Sequence, residues 1–187
     1  MAELRDKLSQ HYTYDDYSKW DDDKRYELID GIPYAMSAPT VRHQRISGEL
    51  FGQFWNYLKG KQCEVFAAPF DVRLNADKED DTVVQPDLVV ICDKSKLDEK
   101  GCKGAPDLVV EILSPSTASK DKILKLNKYQ EVGVKEYWIV DPERNLVDVL
   151  TLRDGFYAIK TYGEEDVIPV GILKDCEINL KEVFEGT

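Results

Sequence analysis

Two apolar runs that begin alike decide the fold: PDLVVI at residues 86–91 and PDLVVEILS at residues 106–114. Each run is short, rich in β-branched residues and introduced by proline, which is typical of a strand buried on both faces of a sheet. Such strands seldom carry carboxylates, because a buried carboxylate that is neither neutralised nor paired is strongly destabilising. Asp87 and Glu111 therefore predict a partner nearby, and a bound cation is one such partner.

The composition predicts a globular protein with a strong negative charge. The 187 residues include 25 Lys and Arg against 36 Asp and Glu, which gives a net charge of −11. This length favours one domain, which we place at residues 26–187 after an N-terminal arm at residues 1–25. The charge disfavours diffuse attraction to nucleic acid or to an anionic membrane. A bound polyanion would have to meet a local basic patch or a metal.

Neither a membrane segment nor a zinc site is expected. No apolar run approaches the length that spans a bilayer, and the first residues lack the apolar centre of a signal peptide. The cysteines form no CxxC pair and have no histidine cluster nearby, so we expect reduced thiols in a cytoplasmic protein. These cysteines are Cys63, Cys92, Cys102 and Cys176.

Turn and helix signals predict an α/β fold. The dipeptides Asp30-Gly31 and Asp154-Gly155 each join two strand-like runs and predict two β-hairpins. The spacing of apolar residues predicts a helix over residues 41–59 and a second helix that ends near Val132. With a strand before it and another over residues 134–140, the second helix would complete a right-handed crossover. We expect a mixed sheet with flanking helices and extra β-hairpins.

Strand geometry indicates which carboxylates can act together. Asp107 and Glu111 share a strand face but stand about 13 Å apart at about 3.3 Å per residue, too far to bind one ion. Asp87 is the better partner for Glu111, and Asp107 is then a strand-entry residue, although the choice between the two aspartates stays open. With the backbone carbonyl of Ile112, Asp87 and Glu111 would offer an all-oxygen site suited to Mg²⁺ or Mn²⁺.

Phosphodiester cleavage would also need a cation beside the attacking water and the phosphate. The position two residues after Glu111 would suit a lysine, but Leu113 occupies it. The following helix places Lys125 and Tyr129 four residues apart and therefore on one stripe, with Lys125 between two leucines. We therefore expect Lys125 to fold over the carboxylates and to replace the missing lysine.

The combined motifs resemble a known family, the Uma-two restriction endonucleases of the PD-(D/E)XK nuclease superfamily. The hairpin at Asp30-Gly31 and the His43-Gln44 pair that opens a helix extend the resemblance over about residues 26–160. The motifs that carry it are Pro86-Asp87, the segment EILSPST at 111–117, Asp121-x3-Lys125-x3-Tyr129 and the segment GVKEYWIVDP at 133–142.

The resemblance implies a restriction-endonuclease-like core and DNA as the substrate. It also implies a divalent metal held by Asp87 and Glu111, and a catalytic lysine displaced from the strand to the helix, here Lys125. Leu113 departs from the superfamily pattern, as it does in the Uma-two family.

These residues also have structural interpretations. Glu111 could form a buried ion pair with Lys125 or Arg73, and Lys125 could extend along the surface as a helix lysine. Ser114 and Ser116 fit turn and capping roles better than a nucleophilic role, because no histidine lies near them in sequence. Accessory candidates, each with a structural alternative, are His43, Glu49, Tyr129 and Asp107.

Two functions follow from this sequence. The first is a metal-dependent endonuclease that hydrolyses DNA, with a homodimer as the default assembly. The alternative is a catalytically silent member of the same fold that acts as a binding or regulatory module.

Overall fold

The computed structural model describes residues 10–21, 23–114 and 120–186, without the side chains at 120–122. The strands are β1 Tyr26–Ile29, β2 Ile32–Ala35, β3 Glu64–Ala67, β4 Val72–Arg73, β5 Val83–Val84, β6 Leu88–Ile91, β7 Leu97–Asp98, β8 Gly101–Lys103, β9 Leu108–Ile112, β10 Glu136–Asp141, β11 Leu146–Arg153, β12 Phe156–Gly163, β13 Val167–Pro169 and β14 Glu177–Asn179. The helices are α1 Tyr14–Tyr17, α2 Val41–Leu58, a 3₁₀ turn Lys94–Lys96, a π-helix Lys120–Lys125, α3 Leu126–Val132 and α4 Leu180–Phe184.

The strands form two six-stranded mixed sheets and a two-stranded ribbon. The first sheet has the order β2-β1-β5-β4-β8-β7, and the second has the order β12-β11-β10-β9-β6-β3. The predicted α/β class with a mixed sheet is confirmed, and the structure adds a second six-stranded mixed sheet. The first sheet escaped prediction because three of its strands, β4, β5 and β7, have only two residues each. Strands so short carry no recognisable periodicity.

The two opening runs lie side by side in the second sheet. β6 pairs antiparallel with β9, with Leu88 opposite Val110. β9 in turn pairs in parallel with β10, and the π-helix and α3 connect them. The predicted crossover connection is therefore confirmed, and its right-handed sense stays a prediction. This arrangement brings the start of β6 beside the end of β9.

The second sheet buries a core on each of its faces. On one face Leu108, Val110 and Ile112 pack in the cluster that includes the apolar stripe of α2. On the other face Val109 and Leu113 pack in the cluster that contains residues of the first sheet and of α3. The alternation predicted for β9 is therefore confirmed, and Glu111 belongs to the face that looks toward the first sheet.

Both predicted hairpin turns are present. Asp30 and Gly31 join β1 and β2 with φ of 50° and 71°, and Asp154 and Gly155 join β11 and β12 with φ of 49° and 84°. Positive φ at both central positions is what a type I′ turn requires. The predicted helix over residues 41–59 is also confirmed, since α2 covers Val41–Leu58.

The expectation of reduced thiols is wrong for one pair, because Cys63 and Cys92 form a disulfide. The pairing of β3 with β6 sets Glu64 opposite Ile91, so the two cysteines are the next cross-strand neighbours. The 29-residue separation in sequence hides this proximity. Cys102 and Cys176 keep their thiols and are buried.

Some predictions lie outside the described residues. These are the capping role of Ser116 and the parts of the arm at residues 1–9 and 22. Within the described ranges, no helix has both the length and the apolar character that a membrane span requires.

Candidate active site

Asp87 and Glu111 meet across two paired strands. The register of β6 and β9, extended by one residue from Leu88 and Val110, sets Asp87 opposite Glu111. The amide N–H of Ile112 donates to Oδ2 of Asp87 at 2.7 Å. Asp87, Glu111 and Ile112, which were predicted to hold a metal together, therefore lie at one point of the second sheet.

These residues line a cleft of about 270 Å³. The other lining residues come from β1 and the residue before it, from the segment between β2 and α2, from the start of α2, and from the segment before β6. Others follow β3 and β9 or end the π-helix. Among them are Arg25, Glu27, Thr40, His43, Gln44, Gln85, Ser114 and Lys125. The cleft thus joins both sheets and two helical elements.

His43 lies beside Asp87. Its Nε2 is 3.3 Å from Oδ2 of Asp87, and the side chain of Asp87 keeps 20% of its surface exposed. His43 is held by the start of α2, where Oγ1 of Thr40 accepts a hydrogen bond from the backbone N–H of His43 at 3.2 Å. This N-cap fixes the first turn of the helix and thereby places the imidazole at the carboxylate.

Glu111 belongs to a buried cluster of charged and polar side chains, the Glu27 cluster, formed by Glu27, Glu111, Lys125 and Tyr129. The ammonium of Lys125 lies 2.6 Å from Oε1 of Glu27 and 2.7 Å from Oε1 of Glu111. The hydroxyl of Tyr129 donates to the same oxygen of Glu111 at 2.7 Å. The expected approach of Lys125 to Glu111 is therefore present, and a pairing of Glu111 with Arg73 is not, since Arg73 bonds Asp80.

Burial strengthens the electrostatic interactions in this cluster. Glu27 and Tyr129 are 0% exposed, Lys125 is 2% exposed and Glu111 is 4% exposed. The ammonium of Lys125 lies between the carboxylates of Glu27 and Glu111 and compensates part of their charge. A low-dielectric interior requires such compensation at short range. Burial, followed by the charge of Glu111, raises the pKa of the Tyr129 phenol well above its usual value. Tyr129 therefore stays protonated and acts as a hydrogen-bond donor to Glu111.

The position of Lys125 follows from the helix that precedes α3. Lys125 ends a six-residue π-helix and adjoins the first residue of α3. π-Helical turns are rare overall, but those that occur are often found at functional sites. The wider turn changes the direction of the side chains that follow. Lys125 and Tyr129 then project to the same glutamate, as their four-residue spacing predicts.

Glu27 was missed by the sequence analysis. It lies in β1, all four residues of which are buried, and its Oε1 also accepts the backbone N–H of Gln85 at 3.0 Å. The signal was present, because a glutamate in the apolar run YELI poses the same problem as Glu111 in its own strand. The sequence does not reveal the partner of Glu27, because Lys125 lies on a helix that is distant along the chain.

The remaining predicted residues lie elsewhere. Asp107 is at the opposite end of β9, where its carboxylate accepts from the N–H of Cys92 at 2.8 Å and pairs with Lys135 at 2.6 Å. Glu49 is exposed on α2 and does not line the cleft. Leu113, at the position that would suit a lysine, packs in the core.

The donor set of the cleft suits a hard divalent cation that keeps several waters. Two carboxylates and a backbone carbonyl are oxygen ligands of the kind that Mg²⁺ and Mn²⁺ prefer. Among the described residues, no group of three or more His, Cys, Asp or Glu side chains is arranged to hold a metal ion. Any ion here would therefore depend on Asp87, Glu111, the Ile112 carbonyl and water.

Comparisons of the sequence with known proteins identify a family. A sequence model of the Uma2 family, described as "Putative restriction endonuclease", matches residues 14–181. The uncharacterized protein slr1290 of Synechocystis sp. is 30% identical over 156 residues, which cover 81% of this chain and 80% of slr1290. The uncharacterized protein sll1609 of the same organism is 26% identical over 121 residues, which cover 63% of this chain and 67% of sll1609.

The fold also matches a solved structure. A crystal structure from Anabaena variabilis, described as "a putative nuclease belonging to DUF820", superposes with a TM-score of 0.75 at 20% identity. The match covers 92% of this chain and 97% of that one. At this identity the likeness shows a shared fold.

Proposed function

This chain belongs to the Uma2 family, whose description is "Putative restriction endonuclease", and from that premise we propose that it is a metal-dependent endonuclease that hydrolyses phosphodiester bonds in DNA. The observation that carries the proposal is the meeting of Asp87 and Glu111 across paired strands, with the ammonium of Lys125 2.7 Å from Glu111. Two carboxylates and one lysine in a cleft are the groups that metal-assisted phosphodiester hydrolysis needs.

Asp87, Glu111 and the carbonyl of Ile112 are the proposed ligands of Mg²⁺ or Mn²⁺. Such an ion, when bound, polarises the scissile phosphate and lowers the pKa of a water ligand. His43 holds the Asp87 carboxylate in place. Hydrogen-bonded partners that orient a ligand typically change metal affinity by about 10–100-fold when removed.

Lys125 supplies the positive charge that the missing strand lysine would have supplied. Its ammonium lies at Glu111, beside the proposed position of the phosphate, where it offsets the negative charge of the transition state. Glu27 is a positioning residue, because its carboxylate holds the ammonium from the side of the first sheet. Tyr129 holds the shared oxygen of Glu111 and so orients the other proposed ligand.

The proposal also includes a substrate, an oligomeric state and a cellular location. The substrate is DNA, the assembly is a C₂ homodimer that cuts both strands, and the reaction takes place in the cytoplasm. Since the net charge is −11, attraction to DNA has to come from the metal and from local cations.

The test combines metal titration with a cleavage assay. Asp87→Asn and Glu111→Gln keep the size of each side chain and remove its charge. We expect each to weaken Mn²⁺ binding by at least about 10-fold and to lower the cleavage rate by about 10²–10³-fold. Lys125→Gln, once circular dichroism shows that it folds, should bind Mn²⁺ at least as tightly as the wild type, because a cation beside Glu111 is gone, and it should lose cleavage. Glu136→Gln, a change at a buried glutamate that does not line the cleft, is the matched control and should retain both.

The alternative of a catalytically silent binding module rests on the same cluster. Lys125 is buried between Glu27 and Glu111, and a purely structural ion pair would have the same geometry. Equal Mn²⁺ affinity of the wild type and of an Asp87→Asn, Glu111→Gln double variant, with no cleavage of any DNA by either, would establish this alternative and end the nuclease proposal.

A further inference from the structure

A second and larger cavity lies on the other side of the segment that borders the cleft. Its volume is about 670 Å³, within the range of about 300–1,000 Å³ that small-molecule sites occupy. The end of α2 forms one wall, and β3 with the residues that follow it forms the other. β3 is the edge strand of the second sheet, so this cavity lies at the border of that sheet.

Aromatic rings from both walls dominate the cavity. On α2 the rings of Phe51 and Trp55 stack at 5.9 Å with an angle of 18° between their planes. On the opposite wall Phe66 and Phe70 stack at 4.5 Å and 12°. Trp55 is 52% exposed, so a large ring that could be buried instead faces solvent. Exposed flat rings of this kind are stacking surfaces for nucleobases.

The charge around the cavity is opposite to that of the protein. Three lysines, Lys59, Lys61 and Lys94, line it against one acidic residue, Glu64, which pairs with Lys94 at 2.5 Å. The chain as a whole carries a net charge of −11. A net positive rim on an acidic protein favours an anionic ligand, and rings combined with lysines favour a single nucleic-acid strand over an apolar peptide.

One short segment separates the cavity from the cleft. Ala67 and Pro69 line the cavity, whereas Ala68 lines the cleft. The N–H of Ala68 donates to the backbone carbonyl of Asp87 at 3.1 Å. A DNA strand that crosses the segment at residues 67–69 would reach from the aromatic rings to the proposed metal ligands within a few nucleotides.

We propose that this cavity binds unpaired bases of the DNA strand whose scissile phosphate lies in the cleft. The inference rests on the proposed function and adds a substrate class to it: single-stranded DNA, or duplex DNA with unpaired nucleotides beside the point of cleavage. Trp55 stacks on a base, and Lys59 and Lys61 contact the phosphates that flank it.

Binding without metal tests the cavity separately from cleavage. The probe is a fluorescein-labelled thymidine oligonucleotide of about 12 nucleotides, titrated in EDTA at low salt and followed by fluorescence anisotropy. Trp55→Ala should weaken binding about 10-fold. A Lys59→Gln, Lys61→Gln variant should reduce the slope of log affinity against log salt by about 0.7 per lysine. A blunt duplex of the same length should bind more weakly than the single strand.

The controls lie on β12, the opposite edge of the same sheet. Phe156 is 72% exposed, and Phe156→Ala and Lys160→Gln should bind the oligonucleotide like the wild type. Trp55→Ala removes a ring that is half in solvent, and circular dichroism verifies its fold. Photocrosslinking of an oligonucleotide that contains 5-iodouracil, mapped by mass spectrometry, should mark Trp55 in the unmodified chain and provides a second readout.

The outcomes separate this inference from the nuclease proposal. Wild-type affinity in Trp55→Ala, or no binding by the wild type, overturns the base-binding cavity even if the protein cleaves duplex DNA with Mg²⁺. Weaker oligonucleotide binding by Trp55→Ala than by the wild type supports base binding in the cavity even if the wild type cleaves nothing. Conversion of a dimer to a monomer by Trp55→Ala, at unchanged DNA affinity, would identify the surface as a contact between two copies and overturn the inference.

Discussion

Glu111 and Glu136 are glutamates on neighbouring parallel strands, 4% and 1% exposed, yet their surroundings differ. Glu111 receives an ammonium and a phenol, and it lines a cleft. Glu136 receives neutral donors: the indole N–H of Trp138 at 2.7 Å and the backbone N–H of Ile172 at 3.1 Å. The two side chains also lie on opposite faces of the sheet, since Trp138 packs in the core beneath α2.

These surroundings distinguish Glu111, a buried carboxylate suited to a catalytic site, from Glu136, a buried carboxylate that stabilises the fold. Glu136 fastens the segment around Ile172 to the second sheet, and within the described ranges no Lys, Arg or His side chain forms a salt bridge with it. Burial therefore raises the pKa of Glu136 above its usual value. Glu111 has a cation within hydrogen-bonding distance and an opening toward solvent through the cleft. Burial alone does not identify a site, whereas burial with a cation at a cleft does.

The largest effect should come from removing the cation of the Glu27 cluster. Lys125→Met leaves Glu27 and Glu111 buried without compensation, and we expect the free energy of unfolding to fall by about 3–5 kcal/mol. Urea denaturation measures this loss. Adding Glu27→Gln and Glu111→Gln to Lys125→Met should recover much of it.

Lys128 provides the matched control on α3, the helix that Lys125 adjoins. It pairs with Asp30 at 2.6 Å near the surface, and Lys128→Met should cost no more than about 1 kcal/mol. If the Lys125 and Lys128 variants unfold alike, water screens the Glu27 cluster and the contrast with Glu136 loses its basis.

A smaller effect is expected from the phenol that bonds Glu111. Tyr129→Phe removes a hydrogen bond to a charged oxygen and should lower the free energy of unfolding by about 1.5–3 kcal/mol. Because burial raises the pKa of Tyr129 well above its usual value of 10.0, this difference should stay constant at neutral pH and shrink as pH rises above that value, where the unfolded chain ionises and the folded phenol does not.

Tyr157→Phe is the control for this change, since the Tyr157 hydroxyl donates at 2.9 Å to the neutral carbonyl of Val134. Its loss should cost about 1 kcal/mol. Equal costs for the two tyrosine variants would argue that Glu111 is not ionised in the fold.

The smallest effect should appear at Glu136. Its folded-state pKa is raised, so the fold is stabilised below the unfolded value near 4.5, and that stabilisation is lost as pH rises through the folded pKa. Glu136→Gln cannot ionise, and since both oxygens of Glu136 accept hydrogen bonds, the amide leaves one donor unpaired at a cost of about 1 kcal/mol at neutral pH. Urea denaturation from pH 4 to 7 should show the wild type losing stability relative to this variant. A constant difference across that range would show that folding leaves the pKa of Glu136 unchanged and would contradict this prediction.

The pairing of Asp87 with Glu111 could be predicted because both belong to apolar runs of similar composition, and the rise of a strand sets Asp107 too far from Glu111 to bind the same ion. The approach of Lys125 followed from helical spacing. Each of these inferences uses a periodicity that acts over a small number of residues. They needed no knowledge of how distant segments pack.

The features that were missed depend on such distant packing. Glu27 lies in a hairpin that is far along the chain from the helix that carries Lys125, and no local sequence feature of either segment predicts their contact. Glu136 follows Lys135 at the start of a strand and therefore resembles a polar strand end. The Cys63–Cys92 disulfide depends on the register of β3 against β6, which the sequence does not reveal.

The Glu27 cluster also has a consequence for the order of assembly. Glu27 comes from the first sheet, Glu111 from the second sheet and Lys125 from the helix that follows, so the cluster closes only after both sheets have formed and docked. Contacts between segments so far apart in sequence form late in folding, because closing a long loop costs entropy before the contact compensates it. A partly synthesised or partly folded chain therefore lacks the complete set of proposed catalytic groups. For a proposed nuclease made inside a cell, folding itself would delay activity until the molecule is whole.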